Sequence, residues 1–357
     1  MPSQTASEAE TPSTRLLAKI ACAEDLPSLQ TETQAAGKFW WQQVIGELAD
    51  VPLAFPSAIV DTLTRRLTIL AEQQLGPPPL PYAWITYGSQ GRQENTLSSD
   101  QDNALVIDDK FDPELHDNYF PALAETVCDG LAACGFRYCP GGMMATNPAW
   151  RQSLSGWQKT FSDWIQRAAP QTARLASNLF DFRSIAGTMA LATPLRALIL
   201  DEAPAQQSFI GHLVANACSA PAALSLFGKF VVDKSPEHRG EIPIKLHGIL
   251  PIVDLARIYS LMSGIEACST SERLLGAAGK GLLSEAGALQ LVAAYEFLLN
   301  LRMRRQARQL ADGLPPSNHL APASLAPGEA RQLREAFRLI ETQRNVLRLA
   351  YPEQSAN

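Results

Sequence analysis

The sequence predicts a mixed α/β fold of the α+β kind, a small sheet flanked by helices, with a helical segment before it and a helical bundle after it. Three observations lead there. Tyr82 to Tyr87 (YAWITY) and Asn103 to Ile107 (NALVI) are short aromatic and β-branched runs, the composition of buried strands. Residues 16–75 carry apolar side chains at helical spacing. From about Thr193 to the C-terminus the helical pattern returns.

Residues 1–15 are polar, lack an apolar signal-like stretch and read as a disordered tail. Within the N-terminal helical segment, residues 16–76, Ile59, Leu63, Leu67 and Leu70 form one stripe, with Arg65, Arg66 and Glu72 mostly outside it. Gly76 stands where a C-cap glycine belongs, and Pro77, Pro78 and Pro79 stop the helix from resuming. A second unit is expected over residues 77–192. Its two strands are joined by QGRQEN, enough for one or two helical turns, and the loop TLSSD. A helix from Tyr119 to Cys134 follows, then the turn-rich CPGGMMATNP, an amphipathic stretch from Trp150 to Ile165, and a third strand candidate, Ser177 to Arg183 (SNLFDFR). Residues 193–357 are expected to form the bundle. One stripe there carries Val292, Tyr295, Leu299 and Met303, another Leu333, Phe337, Ile340 and Leu347, with a Pro- and Gly-bearing loop between them.

The 357 residues are 46% hydrophobic and 18% charged, enough to bury a core. The net charge of -6 offers no general attraction to a polyanion, which argues against nucleic acid and anionic membrane as partners. No stretch approaches the length of a membrane span, and the six cysteines lack the spacing of a redox pair or zinc ribbon, so a cytoplasmic protein with reduced thiols is expected. The five histidines show no paired-ligand spacing.

The chemistry concentrates in YGSQGRQENTLSSDQDNALVIDD. Side chains alternate along a strand, so Asp100 and Asp102 share a face, roughly 7 Å apart at Cα, while Gln101 points away. Two carboxylates aimed at one spot repel unless a cation lies between them, and hard oxygen ligands with open positions suit Mg²⁺. Gly88 and Ser89 supply the complement: a turn that lets backbone amides and a hydroxyl approach a phosphate.

A GS turn followed by DxD resembles the polymerase-β-type nucleotidyltransferase superfamily. The fuller string GSQGRQENTLSSDQDNALVIDD is similar to the nucleotidyltransferase family related to bacterial PII uridylyltransferase, often attached to CBS or cyclic-nucleotide-binding domains. The resemblance continues through FRYCPGGMMATNPAWRQSLSGWQ, SNLFDFRSIAG and IPIKLHGILPIVDLARIYSLMSGI. It implies a small nucleotidyltransferase sheet, a C-terminal substrate-binding helical domain, and Mg²⁺-dependent transfer of a nucleoside monophosphate from an NTP to a hydroxyl, with a regulatory protein among the candidate acceptors. Asp100, Asp102 and Asp181 match the catalytic, metal-binding carboxylates, which hold two Mg²⁺ ions, and Gly88 and Ser89 match the triphosphate-binding turn. The residues before Pro77 are too few for a CBS or cyclic-nucleotide module, so regulation through either is not expected.

Several residues keep two readings. Asp181 is either that third carboxylate or a helix cap or ion-pair partner of Arg183. Arg92 either reaches phosphate or pairs with Glu94. Lys245 either meets a phosphate or base or snorkels at a domain junction. Gly141, Gly142 and Asn147 are read chiefly as a structural turn, Cys139 as core, and Arg302, Arg304, Arg305 and Arg308 as the solvated face of a helix. Two other functions stay open: a non-catalytic nucleotide-sensing signalling module, and a nucleotidyltransferase acting on a small molecule.

Overall fold

A computed structural model describes residues 11–46, 54–96, 98–116, 118–219 and 223–352. Three helices lead: α1 (Pro12–Cys22), α2 (Leu26–Ile45) and α3 (Phe55–Leu75). Of the tail expected over residues 1–15, the first ten lie outside the described residues, and Pro12 to Arg15 are already the first turn of α1. The Thr11 and Asp25 side chains cap the first two helices, and Gly76 ends the third at φ +88°. The predicted α3 stripe is buried at Ile59, Leu63 and Leu67, and Leu67 closes on Gly130 so tightly that a Cβ there would lie 2.4 Å from a Leu67 methyl.

The sheet-bearing part runs β1 (Tyr82–Thr86), the short α4 (Gly88–Gly91), β2 (Asn103–Ile107), α5 (Pro113–His116), α6 (Tyr119–Ala133), β3 (Arg151–Ser153), α7 (Leu154–Arg167), α8 (Pro170–Leu179) and β4 (Arg183–Gly187). Strand order is β3-β2-β1-β4, with β1 antiparallel to β2 and β4, and β2 parallel to β3. Thr86 at the end of β1 faces Asn103 on one side and Arg183 on the other, so both neighbouring strands begin where β1 ends. Every residue of β1 and β2 is buried, as continuous apolar runs require. Trp157 on α7 donates from Nε1 to the Leu105 carbonyl at 2.8 Å and pins that helix to the sheet.

The third strand is displaced from its expected place. Ser177 to Leu179 complete α8, whose Ala173, Ala176 and Leu179 are buried, and strand pairing starts only at Arg183. Helical spacing from Ala173 to Leu179 outweighs the strand composition of SNLFDFR.

The remainder is helical: α9 (Thr193–Glu202), α10 (Gln207–Ser219), a π-helical turn over Lys245–Ile249 running into α11 (Leu250–Ser263), α12 (Thr270–Gly279), α13 (Glu285–Ala311) and α14 (Pro327–Ala350). A two-stranded ribbon, β5 (Ile242–Pro243) with β6 (His319–Leu320), ties the loops before the π turn and before α14. Both predicted stripes face the core, with Tyr295, Leu299, Met303, Leu333, Phe337, Ile340 and Leu347 buried and Val292 half-buried. Among the described residues no helix is long and apolar enough to cross a membrane.

Candidate functional site

The site gathers where β1 stops. Tyr87 N–H donates to the Asp102 carbonyl at 3.1 Å and Thr86 Oγ1 donates to the same oxygen at 3.0 Å, so the GS turn and the DQD segment are laced together by backbone. Gly88 adopts φ +59°, and a Cβ there would lie 2.8 Å from Asp102 Oδ2, so only glycine fits between turn and carboxylate. Ser89 follows, half-buried.

Gln101 points the other way. Its Nε2 donates to the carbonyls of Cys128 at 3.0 Å and Phe136 at 2.9 Å, and its N–H to the Arg137 carbonyl at 2.8 Å. That anchor leaves Asp100 and Asp102 together on the partly open side. Burial pushes the Asp102 carboxyl up to about 6, and Asp100 adds to the rise, against the opposing pull of Cys139, Lys245 and Arg92. Asp100 Oδ1 is buried without a hydrogen-bond donor among the described residues, although Arg137 Nη2 stands 3.0 Å away as an ion pair from a largely exposed side chain.

Cations complete the cleft. Burial lowers the Lys245 pKa, Arg302 lowers it further, and Asp100 and Asp102 act in the opposite sense. Arg302 is buried and donates from Nε to Asn318 Oδ1 at 2.7 Å; burial brings it down to about 10, and Asp100 is among the groups that oppose the fall. The expected solvated face of α13 is thus broken at Arg302. Arg137, Cys139 and Arg302 are the cleft residues that sequence reasoning missed. A buried position on the α13 stripe marks Arg302, one residue before Met303, but nothing local marks the other two.

Asp181 and Arg92 form a buried ion-pair hub beside the cleft, near enough that the Arg92 charge acts on Asp102 and Lys245. The Asp181 carboxylate is 0% exposed and accepts from Arg257 Nε at 3.0 Å, Arg257 Nη2 at 2.6 Å, Arg273 Nη1 at 2.5 Å and Arg92 Nη1 at 2.7 Å. Burial alone would raise its pKa; Arg257, Arg273 and Arg92 overcome that and hold it well below the usual carboxylate range. Arg92 also donates from Nε to Glu94 Oε2 at 2.7 Å, so two of its three guanidinium nitrogens are paired inside the protein. Arg183 pairs with Asp61 at 2.7 Å instead of Asp181. Gly91 packs against the Asp181 backbone, where a Cβ would fall 1.9 Å from the carbonyl oxygen, and this close approach seats the hub under α4. Asp181 and Arg92 therefore join the sheet to α11 and α12, with the Asp181 carboxylate occupied by three arginines. Gly142 and Asn147 form the structural turn, the Gly142 carbonyl accepting from Asn147 Nδ2 at 3.2 Å and Trp150 Nε1 at 3.0 Å.

Among the described residues no group of three or more His, Cys, Asp or Glu side chains could hold a metal ion. The pair Asp100 and Asp102 nevertheless suits a hard divalent cation that keeps water and phosphate oxygens as its other ligands: both donors are carboxylates, the Arg137 that pairs with Asp100 is a largely exposed side chain, and their mutual repulsion is relieved by positive charge.

No curated protein matches the chain. Two family models do: one described as "Putative nucleotidyltransferase DUF294" over residues 50–171, which spans α3, the GS turn and the DQD segment, and one described as "Putative nucleotidyltransferase substrate binding domain" over residues 207–351, which spans α10 to α14. With the turn, the carboxylate pair and the helical partner domain in place, the chain belongs to this nucleotidyltransferase family with its C-terminal substrate-binding domain.

Proposed function

We propose that the chain binds a nucleoside triphosphate in the cleft between the GS turn and the π-helical turn and transfers its nucleoside monophosphate to a hydroxyl acceptor, with release of pyrophosphate. The carrying observation is the fit of Gly88 against Asp102, which sets a phosphate-approachable turn beside a carboxylate pair that needs a cation. In the transfer, the acceptor oxygen bonds to the α-phosphorus, the bond to the α,β-bridging oxygen breaks, and the hydroxyl proton leaves to solvent. Asp100 and Asp102 would hold Mg²⁺, which when bound polarises the phosphate and offsets developing charge. Gly88 and Ser89 cradle the phosphates; Lys245 and Arg302 neutralise the tail from the opposite wall. Arg92 stays with Asp181 and contributes by fixing the floor of the turn.

With Asp181 committed to three guanidiniums, a second Mg²⁺ would rest on the same two carboxylates and on phosphate oxygens. That commitment is also the one observation that favours a second reading, a module that binds nucleotide and reports it without turnover. The acceptor's nature, protein or small molecule, divides the catalytic reading further. Incubation with each NTP and Mg²⁺ over a panel of protein and small-molecule hydroxyl acceptors, with Asp100→Asn/Asp102→Asn as control, tests it. Pyrophosphate release that needs both aspartates supports transfer; binding with no release from any NTP supports the sensor. Loss of neither binding nor release in the double variant removes the cleft from both readings.

A further inference from the structure

A second cavity lies in the helical part, bounded by the loop 223–228, the π turn and α14, with a volume of about 440 Å³. None of the nucleotide-cleft residues named above lines it, although Lys245 and His247 are neighbours on the same π turn. Its walls divide by chemistry. Leu224, Phe227, Phe337 and Ile340 make an apolar half; Arg344, with Arg338 and Glu341 near it, makes a polar half.

Arg344 is 3% exposed, yet its Nε and Nη2 have no hydrogen-bond partner among the described residues. Glu341 stands 3.9 Å from Nη1, on the other nitrogen and beyond hydrogen-bond distance. His247, 5% exposed, lines the same cavity with an unpartnered Nδ1, and burial favours its neutral form. An unsatisfied buried guanidinium edge is costly, so it calls for a partner that the described residues do not supply.

The Nε/Nη2 edge is the side-on fork that grips a carboxylate with two parallel bonds. The same protein displays it filled: Arg257 donates through Nε and Nη2 to the two oxygens of Asp181. Arg344 lines the cavity with its own fork buried and unfilled. Arg338 and Arg344 against Glu341, with His247 neutral, leave a net single positive charge, which matches a monoanion better than a phosphate dianion.

We propose that this cavity is a binding site for a small organic monocarboxylate with an apolar body, its carboxylate seated on Arg344 and reached by His247, its body against Phe227, Phe337 and Ile340. The site stands independently of the nucleotidyl transfer proposed above.

Calorimetry on the full chain tests it with 4-phenylbutyrate, benzoate and hexanoate, the neutral 4-phenylbutyramide, and inorganic phosphate. At least one carboxylate binds with a Kd in the millimolar range or better, the amide binds at least tenfold more weakly than 4-phenylbutyrate, and phosphate at equal concentration does not displace the best carboxylate. Arg344→Lys keeps the charge and loses the fork, and weakens that carboxylate about tenfold. Because a change at a buried arginine can unfold the chain, Phe227→Ala serves as a second variant: its side chain is almost fully exposed, and its removal weakens binding at least threefold with folding intact. No binding of any carboxylate at about 10 mM, equal affinity for acid and amide, displacement of the bound carboxylate by phosphate at lower concentration, or unchanged affinity in a folded Phe227→Ala variant each overturns the proposal.

Discussion

Replacing Asp181 by asparagine tests what the buried hub does. The substitution keeps size and removes the charge that balances Arg92, Arg257 and Arg273, each no more than 5% exposed. Four short hydrogen bonds converge on its two oxygens, and an amide can accept at only one of them. Removing one partner of a buried ion pair typically costs about 3–5 kcal/mol. Glu94 still serves Arg92 and Asp254 still serves Arg257, while Arg273 keeps the Ala267 carbonyl and no carboxylate among the described residues, so we expect about 4–5 kcal/mol. Urea unfolding followed by tryptophan fluorescence would then show the midpoint falling by about 2 M for a slope near 2.5 kcal/mol/M. The pKa of Asp181 is depressed, so its stabilisation is present at pH values above the unfolded carboxylate pKa and is lost only as pH falls through the lower folded value. The deficit of the variant should accordingly be the same at pH 6 and pH 8. A midpoint shift equivalent to less than about 1 kcal/mol, or an unshifted midpoint with lost Mn²⁺ or NTP binding, would refute the structural role and return Asp181 to the metal site.

Other substitutions address the cleft. Gly88→Ala places a methyl against Asp102 at a left-handed φ, and equilibrium dialysis should show NTP affinity reduced more than tenfold, with about 1–2 kcal/mol of stability lost. Asp102, with its folded pKa raised to about 6, stabilises the metal-free protein below the unfolded value near 4 and loses that contribution as pH rises through 6, up to roughly 3 kcal/mol. Asp102→Asn should flatten this slope and, in EDTA at pH 8, unfold at a higher temperature than the wild type; an unchanged slope would contradict the burial argument. Lys245→Met removes a desolvated ammonium, so thermal stability should hold or rise while triphosphate affinity falls about tenfold; weaker folding with unchanged affinity would count against the cleft assignment. Gln101→Leu leaves the Phe136 carbonyl without its Gln101 donor and removes the second donor to the helical Cys128 carbonyl, and should cost about 1–3 kcal/mol in denaturant titration, an effect under 0.5 kcal/mol showing that Gln101 does not anchor the segment.

Strands β1 and β2, the α3 terminus at Gly76, the helix from Tyr119 and both apolar stripes of α13 and α14 were legible because each is declared by neighbours in sequence: a run of β-formers, a C-cap glycine, a 3.6-residue period. The pairing of the GS turn with Asp100 and Asp102 was legible for the same reason, since one short crossover must bring adjacent strands together. SNLFDFR failed as a strand because its first half shares a helical face with Ala173 and Ala176, a contest that composition over seven residues does not decide. Arg302 defeated the solvated-face expectation because a charged residue at a buried helix position is understood only through its partner, Asn318.

By itself the sequence determined the fold class and the course of β1 and β2 on either side of the GS turn and the DQD segment, all of which rest on interactions within a few residues. The tertiary structure alone decided the part played by Asp181, because its arginine partners on α11 and α12 arrive from 76 and 92 residues further along the chain. It alone decided the open fork of Arg344. A carboxylate's chemistry depends on which charges share its buried volume, and that follows from how distant helices pack.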